Sequence, residues 1–282
     1  MSSQIASTVY LDHKTYKVMD VKDGGMGRVW LLKEAFSEVS DPIYKKLLAV
    51  KTFDYTPNQY SIEQELNFWV SLEHKNILPL LRIGRLNYRL AAIMPWRHST
   101  LEDQITQYDF SEKEIVKMAL QIAHGLKYAY ENWNIVHLDL KPANVLIRSM
   151  EPFELQISDW GISRITAQLF QATLDEKRPL SQYTSYGAGT PLYMSPERFS
   201  NRWKISPQAD MYSLGLIIIQ LFSGFLPSRI EEIISGSYIK NVGQILKVKS
   251  YRLEKLLYSC INPDVSLRPK SYAELISKLK KC

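Results

Sequence analysis

The hydrophobic pattern of this 282-residue chain changes near residue 95, and that change restricts the fold more than any other feature. Before it, apolar and aromatic residues form short runs of strand length, namely YKVMDV (16–21), RVWLLKEA (28–35), LLAVKTF (47–53) and RLAAIM (89–94). One helical segment interrupts them, SIEQELNFWVSLE, in which Ser61 and Gln64 have the spacing of a capping box. We therefore expect a small antiparallel sheet with one main helix in this part of the chain.

After Pro95 the apolar residues recur at intervals of three and four, as they do along one face of a helix. Three further helix starts are marked by a capping serine with a glutamate three residues on, or by a serine before proline: Ser111 with Glu114, Ser206 with Pro207, and Ser271 with Glu274. The expected fold class is therefore α+β, with a sheet-rich part over residues 1–95 and a larger, mostly helical part over 96–282.

Composition is that of an ordinary soluble globular protein, with 45% apolar and 23% charged residues. The first residues contain no apolar signal segment, and the longest apolar run, SLGLIIIQLFSGFL (213–226), is too short to span a bilayer. The two cysteines, Cys260 and Cys282, lack metal-ligand spacing and fit a reducing compartment. We expect a cytoplasmic protein without a membrane segment in this chain.

The net charge of +6 is unevenly distributed, since residues 201–282 contain 13 Lys or Arg but only 6 Asp or Glu. A basic face there would attract an acidic partner or nucleic acid. A solvated lysine-rich surface explains the same composition more simply, and we expect no nucleic-acid partner.

A glycine cluster, VKDGGMGRVW (21–30), lies between two predicted strands. Glycines there let backbone N–H groups approach an anion closely because no Cβ intervenes. Taken alone, a plain hairpin turn is the simpler explanation of such a cluster. The next strand ends in Lys51, for which Glu65 of the following helix is the favoured partner and Glu63 the alternative.

The stretch NWNIVHLDLKPANVLI (132–147) concentrates polar groups between two apolar runs: His137, Asp139, Lys141 and Asn144. Twenty residues after Asp139, the segment ISDWGIS adds a second carboxylate, Asp159. Asn144 and Asp159 carry hard oxygen donors that suit Mg²⁺, while Lys141 supplies a charge for a phosphoryl group. Asp139 is left to accept a proton from a hydroxyl, and the combination indicates phosphoryl transfer.

Taken in order, these motifs resemble those of the eukaryotic-type (Hanks-type) Ser/Thr protein kinases across essentially the whole chain. The family's catalytic loop, H-R-D-x-K-P-x-N, is similar to the run from His137 to Asn144. Its other motifs match Gly24 and Gly27, Lys51, Glu65, Asp159-Trp160-Gly161, Ser195-Pro196-Glu197, Asp210 with Ser213 and Gly215, and Arg268. The resemblance implies one bilobal kinase domain over residues 1–282, with a small lobe (1–95) and a large lobe (96–282).

The resemblance also implies ATP and Mg²⁺ as cofactors and assigns residues to each. Asp139 would be the catalytic base assisted by Lys141, and Asn144 and Asp159 would bind the metal. The nucleotide-binding residues would be Lys22, Asp23, Gly24, Gly25, Met26, Gly27, Val29, Ala49, Lys51, Glu65, Met94, Trp96 and Leu146. By the same analogy, His137 is structural and packs against Trp160, and Glu197 pairs with Arg268 in the interior.

The acceptor expected from the resemblance is a serine or threonine of a protein, because Lys141 and Thr190 match the Ser/Thr branch. Four positions depart from the family pattern: Lys22, Leu138, Trp160 and Ser195. Leu138 replaces an arginine that often reads phosphorylation of the activation segment, so we expect a kinase without that switch. Ser181, Thr184 and Ser185 are candidate autophosphorylation sites, with ordinary loop hydroxyls as the alternative. A pseudokinase or nucleotide-binding scaffold is the main rival function.

Overall fold

The structure, a computed structural model, describes residues 8–24, 27–35, 47–53, 59–160, 191–199, 205–224, 232, 235–237 and 250–282. The chain divides into two compact units. The first unit comprises Met1–Glu73 and Leu78–His98, and the second comprises His74–Ile77 and Ser99–Cys282. The main boundary between the two units therefore lies after His98, whereas the sequence analysis placed the boundary after residue 95.

The described residues of the first unit form a six-stranded antiparallel barrel and one helix. Its elements are β1 (Thr8–Leu11), β2 (Lys14–Gly24), β3 (Gly27–Glu34), β4 (Leu48–Phe53), α1 (Gln59–Val70), β5 (Arg82–Leu86) and β6 (Arg89–Pro95). The strand order is β1-β2-β3-β4-β6-β5, and pairing of Leu11 with Leu86 closes the barrel. The antiparallel sheet, its helix and the four predicted strands are confirmed, whereas β1, β5 and the closure were not foreseen.

Alternation along the strands separates an interior face from an exterior face of this barrel. Val50 of β4 lies in the interior cluster, whose other fully buried members include Val9, Leu11, Leu32, Leu86 and Ile93. Because successive side chains of a strand point to opposite faces, Ala49 and Lys51 lie on the exterior face. Each buried aliphatic side chain of the cluster contributes roughly 1.5–3 kcal/mol.

Helix α1 begins at Gln59, so the capping box predicted at Ser61 is wrong. Ser61 lies inside the first turn, where serine costs little helix propensity, and a serine–glutamine spacing alone could not fix the start. The buried face of the helix carries Ile62, Leu66 and Trp69, which recur at intervals of four and three. The indole N–H of Trp69 donates to the carbonyl of Leu78 at 2.8 Å and ties the helix to the chain entering β5.

Where the structure describes it, the second unit is mostly helical and contains one hairpin. Its elements are α2 (Leu101–Ile105), α3 (Glu112–Trp133), β7 (Val145–Met150), β8 (Phe153–Ile157), α4 (Pro207–Ser223), α5 (Tyr251–Cys260) and α6 (Tyr272–Leu279). Short 3-10 turns occupy Pro142–Asn144, Pro191–Tyr193, Pro196–Phe199 and Val265–Leu267. Helix α3 packs against α4, α6 and β8, which places it at the centre of this unit.

The helix starts predicted in the second unit are confirmed. Ser111 and Glu114 form a complete capping box, in which the Ser111 N–H donates to the Glu114 carboxylate at 2.9 Å. Pro207 opens α4 directly after Ser206, and the Ser271 hydroxyl accepts from the Glu274 N–H at 3.2 Å. Helix α4 is buried along most of its length, as expected for the apolar run within it. Within the described parts of the chain, no helix has the length and hydropathy needed to cross a membrane.

Candidate active site

The β7–β8 hairpin brings two predicted functional residues to the same end of the second unit. Val145, the first residue of β7, pairs with Ile157, the last residue of β8. The neighbouring residues continue this pairing, because Ser158 donates to the carbonyl of Asn144 from its N–H at 2.8 Å and from its hydroxyl at 3.0 Å. Asp159 follows Ser158 directly, so the hairpin register places Asn144 and Asp159 close to each other.

The carboxylate of Asp139 is held by two other predicted site residues. Lys141 donates from Nζ to Oδ2 of Asp139 at 2.9 Å, and Asn144 donates from Nδ2 to the same oxygen at 3.0 Å. Asn144 Nδ2 also donates to the main-chain carbonyl of Asp139 at 2.7 Å. These hydrogen bonds fix the carboxylate of Asp139 in place. Because its side chain is still 36% exposed, it remains accessible to a substrate group.

The oxygen donors at this end of the hairpin fit a magnesium ion. Because the amide nitrogen of Asn144 is used by Asp139, the group left to coordinate a cation is its carbonyl oxygen Oδ1. Asp159 adds a carboxylate from a left-handed backbone conformation, with φ of 60°. Magnesium commonly takes only one or two protein carboxylates and keeps phosphate and water ligands. The described residues contain no cluster of three His, Cys, Asp or Glu suited to a metal.

His137 has a structural role in this site. The residue is fully buried, and its ring meets Trp160 edge-on with the ring centroids 4.9 Å apart. Its Nδ1 accepts from the N–H of Asp139 at 3.3 Å, which assigns the ring proton to Nε2, 2.8 Å from the carbonyl of Ser158. Both ring nitrogens are therefore engaged inside the protein, and neither is available to accept a proton from a substrate.

Asp210 at the start of α4 holds the backbone just before Asp139. Its carboxylate accepts from the N–H groups of His137 and Leu138, both at 2.8 Å, and from the Tyr272 hydroxyl at 2.9 Å. Burial raises the pKa of Asp210, while the hydrogen bonds from these three groups oppose the rise. Sequence reasoning listed Asp210 only as a motif residue and missed Tyr272, which lies 62 positions away and carries no local signal.

Glu197 and Arg268 form the interior ion pair that was expected. Two guanidinium nitrogens of Arg268 donate to the two carboxylate oxygens of Glu197 at 2.8 and 2.7 Å, and the Arg268 side chain is fully buried. The guanidinium also lies 4.8 Å from the ring centroid of Tyr212. Bidentate geometry of this kind is the strong form of the arginine–carboxylate interaction.

The next residue after Glu197, Arg198, was not anticipated from the sequence. It is 4% exposed, and its Nη1 donates to the carbonyl of Leu138, the residue immediately before Asp139. Nothing in the sequence singles out this arginine, because the bond joins residues 60 positions apart.

Four residues predicted to contact the nucleotide share one face of the barrel in the first unit. Val29 pairs with Lys51 across β3 and β4, and Ala49 pairs with Met94 across β4 and β6. Cross-strand partners point to the same side of a sheet, so these four side chains lie on the exterior face opposite Val50. Ala49 and Met94 are buried there, whereas Val29 and Lys51 are half-buried.

The glycine-rich turn joins β2 to β3, and Gly24 pairs with Gly27. Gly27 has φ of 142°, and a Cβ at this position would lie 1.9 Å from the carbonyl oxygen of Thr52. Only glycine therefore fits at position 27, because any side chain would collide with the backbone of the neighbouring strand β4. The predicted residues Lys22 and Asp23 are exposed, and Asp23 pairs with Arg28 at 2.7 Å.

The remaining predicted site residues are described only in part. Trp96 donates its N–H to the carbonyl of Leu47 at 3.2 Å, and Leu146 is half-buried in β7. The residues or side chains that lie outside the described part of the chain are Gly25, Met26, the side chain of Glu65, Ser181, Thr184, Ser185 and Thr190. Pairing of Lys51 with Glu65 therefore stays a prediction.

A sequence model of the protein kinase domain matches residues 23–279, which is nearly all of the chain. The protein belongs to the protein kinase family.

Curated kinases resemble the chain at low identity. The leucine-rich repeat receptor-like serine/threonine/tyrosine-protein kinase SOBIR1 of Arabidopsis thaliana is 30% identical over 217 residues, which cover 74% of this chain and 30% of that protein. CBL-interacting protein kinase 26 of Oryza sativa subsp. japonica is 29% identical, with coverage of 73% and 40%. The carbon catabolite-derepressing protein kinase of Saccharomyces cerevisiae is 26% identical, with coverage of 77% and 32%. The chain thus spans 30 to 40% of the length of these relatives.

Solved kinase structures share the fold of this kinase. The Mycobacterium tuberculosis PknI kinase domain superposes with a TM-score of 0.68 at 19% identity, covering 98% of this chain and 99% of that one. Rad53 in complex with AMP-PNP gives a TM-score of 0.70 at 21% identity, covering 93% and 64%. The bilobal kinase fold expected from the motifs is confirmed by these likenesses.

A cavity of about 680 Å³ in the second unit of this kinase is separate from the predicted catalytic residues. Three mutually packed aromatic rings line it, those of Tyr108, Phe110 and Phe153. Its charged lining residues are of both signs: Lys75, Asp109, Glu114, Lys117, Arg148, Glu151 and Glu154. None of the predicted site residues lines this cavity, and its nearly balanced charge favours no one class of ligand.

Proposed function

We propose that this kinase transfers the γ-phosphoryl group of ATP to serine or threonine hydroxyls of proteins. The observation that carries the proposal is the Asp139 carboxylate, which Lys141 and Asn144 hold at Oδ2. The backbone of the same loop is bound by the buried residues Asp210 and Arg198. A carboxylate fixed in this way, yet exposed to solvent, is suited to orient a hydroxyl and accept its proton.

In the proposed reaction, each group of the second unit has one task. The acceptor hydroxyl gives its proton to Asp139, its oxygen forms a bond to the γ-phosphorus, and the bond to the β–γ bridging oxygen breaks to release ADP. Lys141 places its positive charge beside Asp139, where it would stabilise the transferred phosphoryl group. A magnesium ion held by Asn144 and Asp159 would neutralise charge on the phosphates.

In the first unit, we assign Lys51 to the α- and β-phosphates and the backbone of residues 24–27 to the β- and γ-phosphates. Lys22 is also assigned to the nucleotide site. The apolar side chains of Val29 and Ala49 are proposed to contact the adenine, with Met94 as the gatekeeper residue. Val29, Ala49, Lys51 and Met94 share one face of the barrel, which supports this assignment. Trp96, Asp23 and Glu65 complete the proposed nucleotide site.

The decisive comparison is Asp139→Asn with the wild-type kinase, assayed with ATP, Mg²⁺ and a basic protein or peptide. We expect the substitution to lower the transfer rate by about 10²–10⁴-fold, because the amide cannot accept the proton. Asp109→Asn, at an exposed position outside the site, serves as the matched control. Nucleotide binding measured in parallel tests the pseudokinase alternative, which requires a wild-type protein that binds ATP and transfers no phosphate.

The class of acceptor is a separate part of the proposal, because one relative carries serine, threonine and tyrosine in its name. Three peptides that differ only in the acceptor residue separate the cases. We expect transfer to the serine and threonine peptides and none to the tyrosine peptide. Equal rates on the tyrosine peptide would contradict the assignment.

We further propose that activity does not depend on a phosphorylated activation segment read by residue 138. Leu138 is 4% exposed and packs with Val136 and Ala209, an apolar contact that a phosphate would not recognise. Treatment of the purified kinase with a phosphatase is expected to leave its activity nearly unchanged, and a large loss would refute the idea. Mass mapping after incubation with ATP tests Ser181, Thr184 and Ser185 as autophosphorylation sites.

A further inference from the structure

Leu138, the residue just before Asp139, is bound by charged side chains at both of its backbone polar groups. The N–H of Leu138 donates to Oδ1 of Asp210 at 2.8 Å, and the carbonyl of Leu138 accepts from Nη1 of Arg198. Arg198 and Asp210 belong to different elements, the 3-10 turn Pro196–Phe199 and helix α4. The backbone leading into the proposed base is therefore held from two directions.

The backbone needs such support here because Leu138 has an unfavourable conformation. Its φ is 65°, in the left-handed region, which costs a residue with a Cβ roughly 1–2 kcal/mol. The leucine side chain packs with Val136 and Ala209 and contributes no polar contact to the loop. Without hydrogen bonds at both ends of the residue, this conformation would relax and displace Asp139.

Arg198 carries its charge inside the protein. Burial lowers the pKa of Arg198, while the carboxylates of Asp139, Asp210 and Glu197 raise it. Arginine remains protonated even when such effects compete, because its ordinary pKa is so high. The guanidinium is thus a permanent cation beside the proposed base. Its hydrogen bond to Leu138 joins two groups of the protein and therefore requires no bound phosphate.

We propose that Arg198 is a positioning residue that holds the Leu138 carbonyl and thereby sets the orientation of Asp139. This proposal rests on the phosphotransfer function proposed above. Residue 138 is leucine in this chain, where the family has arginine. The contact from Arg198, which does not depend on phosphorylation, supports the loop instead.

The test compares Arg198→Met, which removes the charge and the donor, with Arg198→Lys, which keeps both. Arg148→Met is the matched control, because Arg148 is 52% exposed and pairs with Glu154 at 3.6 Å on the surface. For each variant, kcat, the KM for ATP, nucleotide affinity and the folded fraction are measured on the intact chain. Arg198→Gln, neutral but still a donor, replaces Arg198→Met if the latter does not fold.

We expect Arg198→Met to lower kcat about 10–100-fold per folded molecule, because small misplacement of a reacting group costs up to about 10²-fold. The KM for ATP and nucleotide affinity should change less than about threefold, and Arg198→Lys should recover most of the lost kcat. A kcat within threefold of wild type overturns the proposal, as does a loss that the lysine variant does not recover. Failure of the phosphotransfer function looks different, because the wild-type kinase itself would then be inactive.

Discussion

The catalytic loop, residues 137–144, and the glycine hairpin, residues 22–28, are stabilised in opposite ways. The loop is fixed by buried groups far away in the sequence, among them Asp210 and Arg198. The hairpin is fixed by local strand pairing and by an exposed ion pair between Asp23 and Arg28, whose side chains are 81% and 52% exposed. The loop whose side chains are proposed to carry out the chemistry thus depends on distant support, whereas the hairpin whose backbone is proposed to bind phosphate depends on neighbouring residues.

The largest effect is expected when the support of the catalytic loop is removed by Asp210→Ala. The N–H groups of His137 and Leu138 and the hydroxyl of Tyr272 would lose their acceptor in the interior. Each buried unsatisfied group costs about 1–3 kcal/mol, so we expect the free energy of unfolding to fall by at least about 3 kcal/mol. Urea denaturation measures it, and Asp210→Asn, which keeps one acceptor oxygen, should lose less. A fall below about 1 kcal/mol would show that the loop does not need this carboxylate.

A smaller loss is expected for Leu138→Arg, which places the family's residue in this chain. The side chain at 138 lies among apolar groups, and Arg198 already supplies a cation beside it. Burying a neutral polar group costs about 1–3 kcal/mol in proteins and burying a charge costs more, so we expect a loss of at least about 2 kcal/mol here. Leu138→Met, which conserves volume, should cost less. If Leu138→Arg were as stable as wild type and became sensitive to phosphatase, the pocket would accept arginine after all.

In the glycine hairpin, Gly27→Ala is the substitution with the largest expected effect. Its Cβ would collide with the carbonyl of Thr52, and φ of 142° is strained for alanine. Residues forced into such regions cost about 1–3 kcal/mol, and we expect about 1–2 kcal/mol together with weaker ATP binding. Gly224→Ala is the control, because φ there is 66° but no atom lies within 4 Å of the added Cβ. Equal losses for the two variants would mean that the contact with Thr52 is irrelevant.

The smallest effect is expected for Asp23→Asn, which removes the exposed ion pair of the hairpin. Exposed pairs are screened by solvent and contribute about 0.2–1 kcal/mol, so we expect a loss below about 0.5 kcal/mol that disappears in high salt. Thermal denaturation at two salt concentrations measures it. A loss comparable with that of Asp210→Ala would remove the contrast between the two regions.

Much of the fold and of the site could be predicted because their signals are local. The Ser111–Glu114 capping box and the Ser206–Pro207 start involve neighbouring residues, and the structure has both. The same type of signal failed at Ser61, where α1 begins at Gln59, because serine is also tolerated within a first turn.

Contacts between distant residues could not be predicted in the same way. The Tyr272–Asp210 and Arg198–Leu138 hydrogen bonds span 62 and 60 positions. Neither a tyrosine nor an arginine in a sequence indicates which distant residue it will contact. Closure of the barrel through Leu11 and Leu86 could not be predicted either, because the sequence of a strand does not specify which other strand it will pair with.

The sequence by itself determined the order of the catalytic groups, the helix starts that depend on residues three apart, and membership of the protein kinase family. The tertiary structure alone decided that the backbone of Leu138, just before Asp139, is held by Arg198 and Asp210, and that His137 has both nitrogens engaged. The physical reason is that a capping bond forms within one turn of chain, whereas a buried charge finds its partner only when separate elements pack together.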